Sequence, residues 1–92
     1  MRVQRGREKQ NSRLTIKGID DKGIAFQEET EAHDISETGI SFFLNTPIWV
    51  DTHLSIEIAS SDLFGPHHVA RAKVVRITVD SSKRQFVAAR FD

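Results

Sequence analysis

The stretch "DISETG", residues 34–39, sets an acid, a hydroxyl and a glycine at fixed intervals: Asp34, Ser36 and Gly39. An ionised carboxylate only accepts hydrogen bonds, whereas a hydroxyl both donates and accepts. Held on a rigid turn, the pair can receive the N–H edge of a purine, guanine above all. Arginine is the complement, because its planar fork takes phosphate through two parallel bonds and stacks on base faces. Arg2, Arg5 and Arg7 stand close together near the N-terminus. These residues form a set suited to a guanine nucleotide. The plainer alternative is a link between two strands, in which Asp34 and Ser36 cap their own backbone and Gly39 takes a positive φ. That alternative accounts for the turn but not for the cationic segment.

The charge is unevenly spread. The formal net charge is zero over 92 residues. Residues 1–13 nevertheless hold Arg2, Arg5, Arg7, Lys9 and Arg13 against Glu8 alone, a local charge of +4, and the remainder carries −4. A neutral chain with a cationic arm points to a local anion site and away from a broad nucleic-acid surface. The absence of cysteine excludes a disulfide framework, a thiolate metal site and a cysteine nucleophile. No apolar run approaches the about 18 residues of a membrane span, and the N-terminus lacks the apolar stretch of a secretory signal. A cytoplasmic location is the expectation.

Catalysis finds little support. The histidines are His33, His53, His67 and His68. "GPHH" is loop sequence, and neighbouring residues on a strand point to opposite faces, which makes joint chelation awkward. Ser36 has no base placed to activate it. There is no GxSxG elbow, phosphate-binding loop or dinucleotide fingerprint. The expectation is a non-enzymatic protein without metal or cofactor. An oligonucleotide-binding barrel would stack bases on exposed aromatics beside basic residues. Arg71, Lys73 and Arg76 supply some charge, but the body is net acidic, and Phe42, Phe86 and Phe91 are readily absorbed by a core.

The elements that must position these groups read as strands. Leu14 and Ile16 alternate in "RLTIKG". Asp21, Lys22 and Gly23 supply turn chemistry before "GIAFQEET", which completes a hairpin. "TEAHD" leads into the DISETG turn. "GISFFLN" sets Ile40, Phe42 and Leu44 on one face and Ser41, Phe43 and Asn45 on the other. Pro47 breaks that run, since proline cannot donate to a ladder. "HLSIEIA" alternates most cleanly, with Leu54, Ile56 and Ile58 on one side. "VARAKVVRITVD" and "QFVAARF" complete the set, the latter with Val87, Ala89 and Phe91 on one side. No segment has a convincing helical period. Six or seven short strands in about 90 residues describe a small antiparallel barrel or sandwich, and closure into a barrel leaves no edge to cover.

"DISETG" matches the (D/N)xSxxG signature of PilZ domains, the bacterial receptors for cyclic di-GMP. The surrounding "RLTIKGIDDKGIAFQEETEAHDISETGISFFL" is similar to that family throughout: a first strand ending near glycine, a hairpin, the signature, then an apolar strand. The resemblance is close over residues 13–44 and looser through the later strands. It implies a six-stranded, all-β, antiparallel Greek-key barrel over residues 13–92, with a flexible basic arm over residues 1–12. It also implies that cyclic di-GMP binds on the outer surface, near the signature's acid, serine and glycine. In the family an RxxxR motif on the arm completes the grip, and binding wraps the arm onto the barrel. A downstream protein or attached domain would be the partner.

The arm departs from that pattern, as no RxxxR is present. Arg5 is followed four residues later by Lys9, and Lys9 by Arg13. The family's usual spacing before Gly18 sets the second motif arginine near Arg7 and its partner at Val3, between Arg2 and Arg5. Lysine supplies charge but neither forks onto phosphate nor stacks as guanidinium does. The expected site is therefore Arg2, Arg5, Arg7, Asp34, Ser36 and Gly39 in a shifted register. The alternatives are a degenerate PilZ-like domain acting by protein contact, and the oligonucleotide-binding barrel.

Overall fold

The computed structural model describes residues 12–59 and 65–92. They form six strands: β1 (Arg13–Ile19), β2 (Ala25–Ile35), β3 (Gly39–Leu44), β4 (His53–Ile58), β5 (His68–Val79) and β6 (Gln85–Phe91). All pairings are antiparallel, and they close a barrel in the order β1-β2-β3-β6-β5-β4. β4 seals it against β1 through Leu14 opposite Ile58 and Ile16 opposite Ile56. Three consecutive strands followed by a fourth that returns beside the first is the Greek-key arrangement. No helix among the described residues is long and apolar enough to cross a membrane.

The alternating pattern explains why the wall closes on itself. Leu14, Ile16, Ile40, Phe42, Leu44, Leu54, Ile56 and Ile58 all point inward and are buried. Ala32, Ile35, Ile48, Ala72, Val74, Val87 and Ala89 complete the core, and Phe91 packs against it half-buried. Phe86 is a correction. It lies on the outer wall with its ring centroid 4.9 Å from that of Phe43. A period of two cannot place both Phe86 and Val87 inside. β2 is also longer than two separate runs suggest: eleven residues continue from the hairpin into the signature.

The turns are built by side chains that accept backbone hydrogen bonds. Asp20, not Asp21, organises the β1–β2 turn, its Oδ1 accepting from Lys22 N at 2.8 Å and Ile24 N at 2.9 Å. Gly23 takes the positive φ of 81° that completes it. Asp80 repeats the device between β5 and β6, accepting from Ser82 N at 3.0 Å and Arg84 N at 2.9 Å. Those amide hydrogen bonds hold both carboxyls below the usual carboxylate range.

Between β3 and β4 the chain crosses the end of the barrel, where Glu28 anchors it. The Glu28 carboxylate accepts from Asn45 N at 2.8 Å, Thr46 N at 2.9 Å and Thr46 Oγ1 at 2.7 Å. Thr30 Oγ1 donates to Phe43 O at 2.8 Å. The β2–β3 ladder pairs β2 only from Ala32 to Ile35, so these side chains satisfy backbone groups where the strands part.

Candidate functional site

A bulge aims the signature. Regular alternation from buried Ala32 would point Asp34 inward and Ile35 outward. Instead the register passes from Ala32 opposite Phe42 directly to Asp34 opposite Ser41, leaving His33 as the extra residue. One inserted residue exchanges the two faces of everything after it. Asp34 therefore faces outward with Ser41, while Ile35 is buried opposite Ile40.

Ser36 holds the turn that follows. Its Oγ accepts from Thr38 N and from Gly39 N, each at 3.2 Å. Its own N donates to Gly39 O at 2.9 Å. The nearest oxygen to the hydroxyl within the turn is Thr38 Oγ1 at 3.2 Å, where either hydroxyl can donate, and Gly39 O follows at 3.4 Å.

Gly39 serves the site differently from the positive-φ role expected of it. Among the described glycines only Gly23 and Gly65 have positive φ. At Gly39 the constraint is space, because a Cβ there would sit 2.6 Å from Ala89 O. β3 and β6 approach closely at this point, and only glycine fits.

These residues surround one open cleft of about 250 Å³ on the outer wall. Asp34, Ser36, Gly39, Ser41 and Ala88 line it, over a base of Ile35, Ile40 and Ala89. The chain enters the barrel beside it. Ser12 O accepts from Ala32 N at 3.0 Å, so the segment before β1 departs one strand over from the start of the bulge. Arg2, Arg5 and Arg7 lie outside the described residues. The structure thus brings Asp34, Ser36 and Gly39 together, with the chain entry point alongside.

Two neighbouring features escaped the sequence reading. One is an aromatic cluster on the outer wall: His33, Phe43 and Phe86, with His33–Phe86 centroids 5.1 Å apart and Arg84 stacked 4.0 Å above Phe43. The alternation that buries Phe42 and Val87 already exposes Phe43 and Phe86. The other is Arg90, directly opposite Gly39 in the β3–β6 ladder. No group of three potential metal-ligating side chains converges among the described residues.

The profile of the PilZ domain family matches residues 3–92. The chain is a PilZ domain. No curated protein shows a significant sequence match to it. Solved structures share the fold at low identity. The PilZ domain with c-di-GMP of YcgR from Escherichia coli is 12% identical with a TM-score of 0.60, covering 97% of this chain and 78% of that one. The Bacillus subtilis inhibitor of motility, MotI/DgrA, is 20% identical with a TM-score of 0.64. MrkH of K. pneumonia in its apo state is 16% identical with a TM-score of 0.58. All of this chain aligns with each of the latter two, yet it spans only 44% of either. PilZ domains are binding and regulatory modules, and this barrel carries their signature in an outward-facing cleft.

Proposed function

We propose that this PilZ domain is a cyclic di-GMP receptor module whose ligand lies between the signature cleft and the basic segment before Ser12. The observation that carries this reading is the bulge at His33, which turns Asp34 out beside Ser36 and Ser41 instead of into the core. Guanine offers an N–H donor edge and the O6 and N7 acceptors. Asp34 supplies acceptors for the former, and the Ser36 hydroxyl proton suits the latter. Arg7 precedes Ser12 by five residues, a reach of at most about 17 Å. Ser12 and Asp34 are one strand and two residues apart, on the order of 10 Å. Arg2, Arg5 and Arg7 therefore have the reach to clasp phosphates over the cleft, with residues 1–12 as the moving part and residues 13–92 as the platform. The YcgR domain solved with c-di-GMP shares the fold and supports the ligand.

Calorimetry with cyclic di-GMP tests the reading, with GMP and a single-stranded oligonucleotide as controls. Binding of the cyclic dinucleotide that is lost in Asp34→Ala and in Arg7→Ala is the expected result. Heat from the oligonucleotide alone, falling steeply with salt, would refute it.

One observation favours a second reading, action by protein contact. Ile19, Ile24, Trp49, Val50 and Val79 are exposed, on turns and strand ends gathered opposite the signature, where Asp21 N bonds Pro47 O at 3.0 Å. A large exposed tryptophan among aliphatic side chains is the composition of an interface anchor. A wild-type domain silent toward all three ligands would favour it.

A further inference from the structure

Two cations stand directly opposite each other beside the cleft. Lys73 of β5 faces Arg90 of β6, and Arg90 in turn faces Gly39 of β3. His53 of β4 extends the row from the other side of Lys73. All three side chains are exposed. Opposed residues in an antiparallel ladder have Cβ atoms about 5 Å apart, and like charges so placed destabilise the sheet. Nearby acids answer only part of this charge. Lys73 Nζ is 3.9 Å from Asp51 Oδ1, a long contact. Asp92 shares the open surface near Arg90 but belongs to the next row, where its N donates to Arg71 O at 3.0 Å. Among the described residues Arg90 forms no ion pair.

Arg90 is also bound closely to the signature. A Cβ at Gly39 would lie 3.6 Å from Arg90 Cα. Ala88, which lines the cleft, is two residues earlier on the same outer face of β6.

We propose that Arg90 is a ligand-binding residue whose guanidinium takes a phosphodiester of the cyclic dinucleotide held at Asp34 and Ser36. The inference rests on the function proposed above and adds a cation fixed to the barrel wall. The arginines of the arm belong to the chain before Ser12, outside the barrel strands. Arg90 stands on a strand, so it adds charge with less conformational entropy to lose. A phosphate between Arg90 and Lys73 relieves the repulsion between the two cations. Guanidinium can grip that phosphate through two bonds, and lysine cannot.

The test is calorimetry with cyclic di-GMP on wild type, Arg90→Ala, Arg90→Lys and Arg71→Ala, with thermal unfolding of each. Arg90→Ala should weaken binding at least about tenfold, as loss of a charge-assisted hydrogen bond does, with its unfolding temperature unchanged or raised. Arg90→Lys should recover part of the affinity. Arg71→Ala, an exposed charge one row away, should stay within about twofold of wild type. If wild type binds and Arg90→Ala binds equally well, this inference falls and the receptor reading stands. Equal losses in Arg71→Ala and Arg90→Ala would also overturn it, because they indicate general attraction. Absence of heat with wild type would refute the receptor reading and this inference with it.

Discussion

Replacing Gly39 with alanine tests whether this glycine exists for space. The new methyl would sit 2.6 Å from Ala89 O, where ordinary contact begins at 3.4 Å, so β3 and β6 must separate by about 0.8 Å. The three atoms nearest the methyl are all β6 backbone, at Ala89 and Arg90. Gly39 N is held by Ser36 Oγ at 3.2 Å, and Phe91 N donates to Thr38 O at 2.9 Å just beyond. Relief therefore has to come from the ladder or the turn. Overpacking against such a wall costs about 2 kcal/mol, which for a domain of this size lowers the unfolding temperature by about 8–16 °C. Gly39→Asn extends the test. Asparagine tolerates positive φ better than other residues, so it would be accepted if backbone conformation were the reason for glycine. The close approach predicts that it unfolds at least as early as Gly39→Ala. Gly23→Ala is the contrast, with φ of 81° and nothing within 4 Å of its Cβ; its cost is backbone strain of about 1–2 kcal/mol. Thermal melts followed by circular dichroism, with urea titrations, measure all three. A Gly39→Ala domain as stable as wild type would refute the steric argument.

Glu28→Ala removes the acceptor of three hydrogen bonds and should cost about 2–3 kcal/mol in urea unfolding, with Glu28→Gln recovering part. The Asp20 and Asp80 carboxyls are held below the usual range, chiefly by the Ile24 and Arg84 amides respectively. Their charged forms therefore stabilise the folded state above the unfolded aspartate pKa of about 3.9, and that stability is lost as pH falls through the lowered values. Unfolding midpoints measured from pH 5 downward, about one unit above the unfolded pKa to well below it, should decline more gently in the Asp20→Asn/Asp80→Asn double variant than in wild type. Phe86→Ala opens the cluster with His33 and Phe43 and should destabilise by about 1–2 kcal/mol, less than a fully buried phenylalanine.

The barrel was legible wherever one face is apolar. Leu54, Ile56 and Ile58 alternate with polar residues, as do Ile40, Phe42 and Leu44 with Ser41 and Asn45, and all six are core. What escaped the sequence is what breaks the period. Nothing in "EAHDI" marks His33 as an inserted residue, because a bulge depends on the partner strand. Without it the outward aim of Asp34 has no derivation. Gly39 was recognisable as necessary, but its reason lies fifty residues away at Ala89, a contact that exists only after β3 meets β6. Asp20 was passed over for Asp21 because both suit a turn, and only the hydrogen bonds choose between them. Arg90 looked like ordinary surface charge until register set it against Lys73 and Gly39. The resemblance of the signature to PilZ domains located the cleft more directly than any physical pattern did.

Ser12 is where the arm's covalent anchorage meets the wall, one strand from the bulge. If the domain is the receptor proposed above, a tether starting there would keep the arm's arginines near the cleft at an effective concentration on the order of millimolar. On that reading, ligand capture would be a ring closure within one molecule. Ring closure depends weakly on length, since doubling a flexible leash costs only about 0.6 kcal/mol. Inserting a few glycine and serine residues before Ser12 would therefore barely loosen the grip on the messenger, yet it would slacken any pull the arm exerts on a neighbour. On the proposed reading, sensing would tolerate insertions that signalling would not.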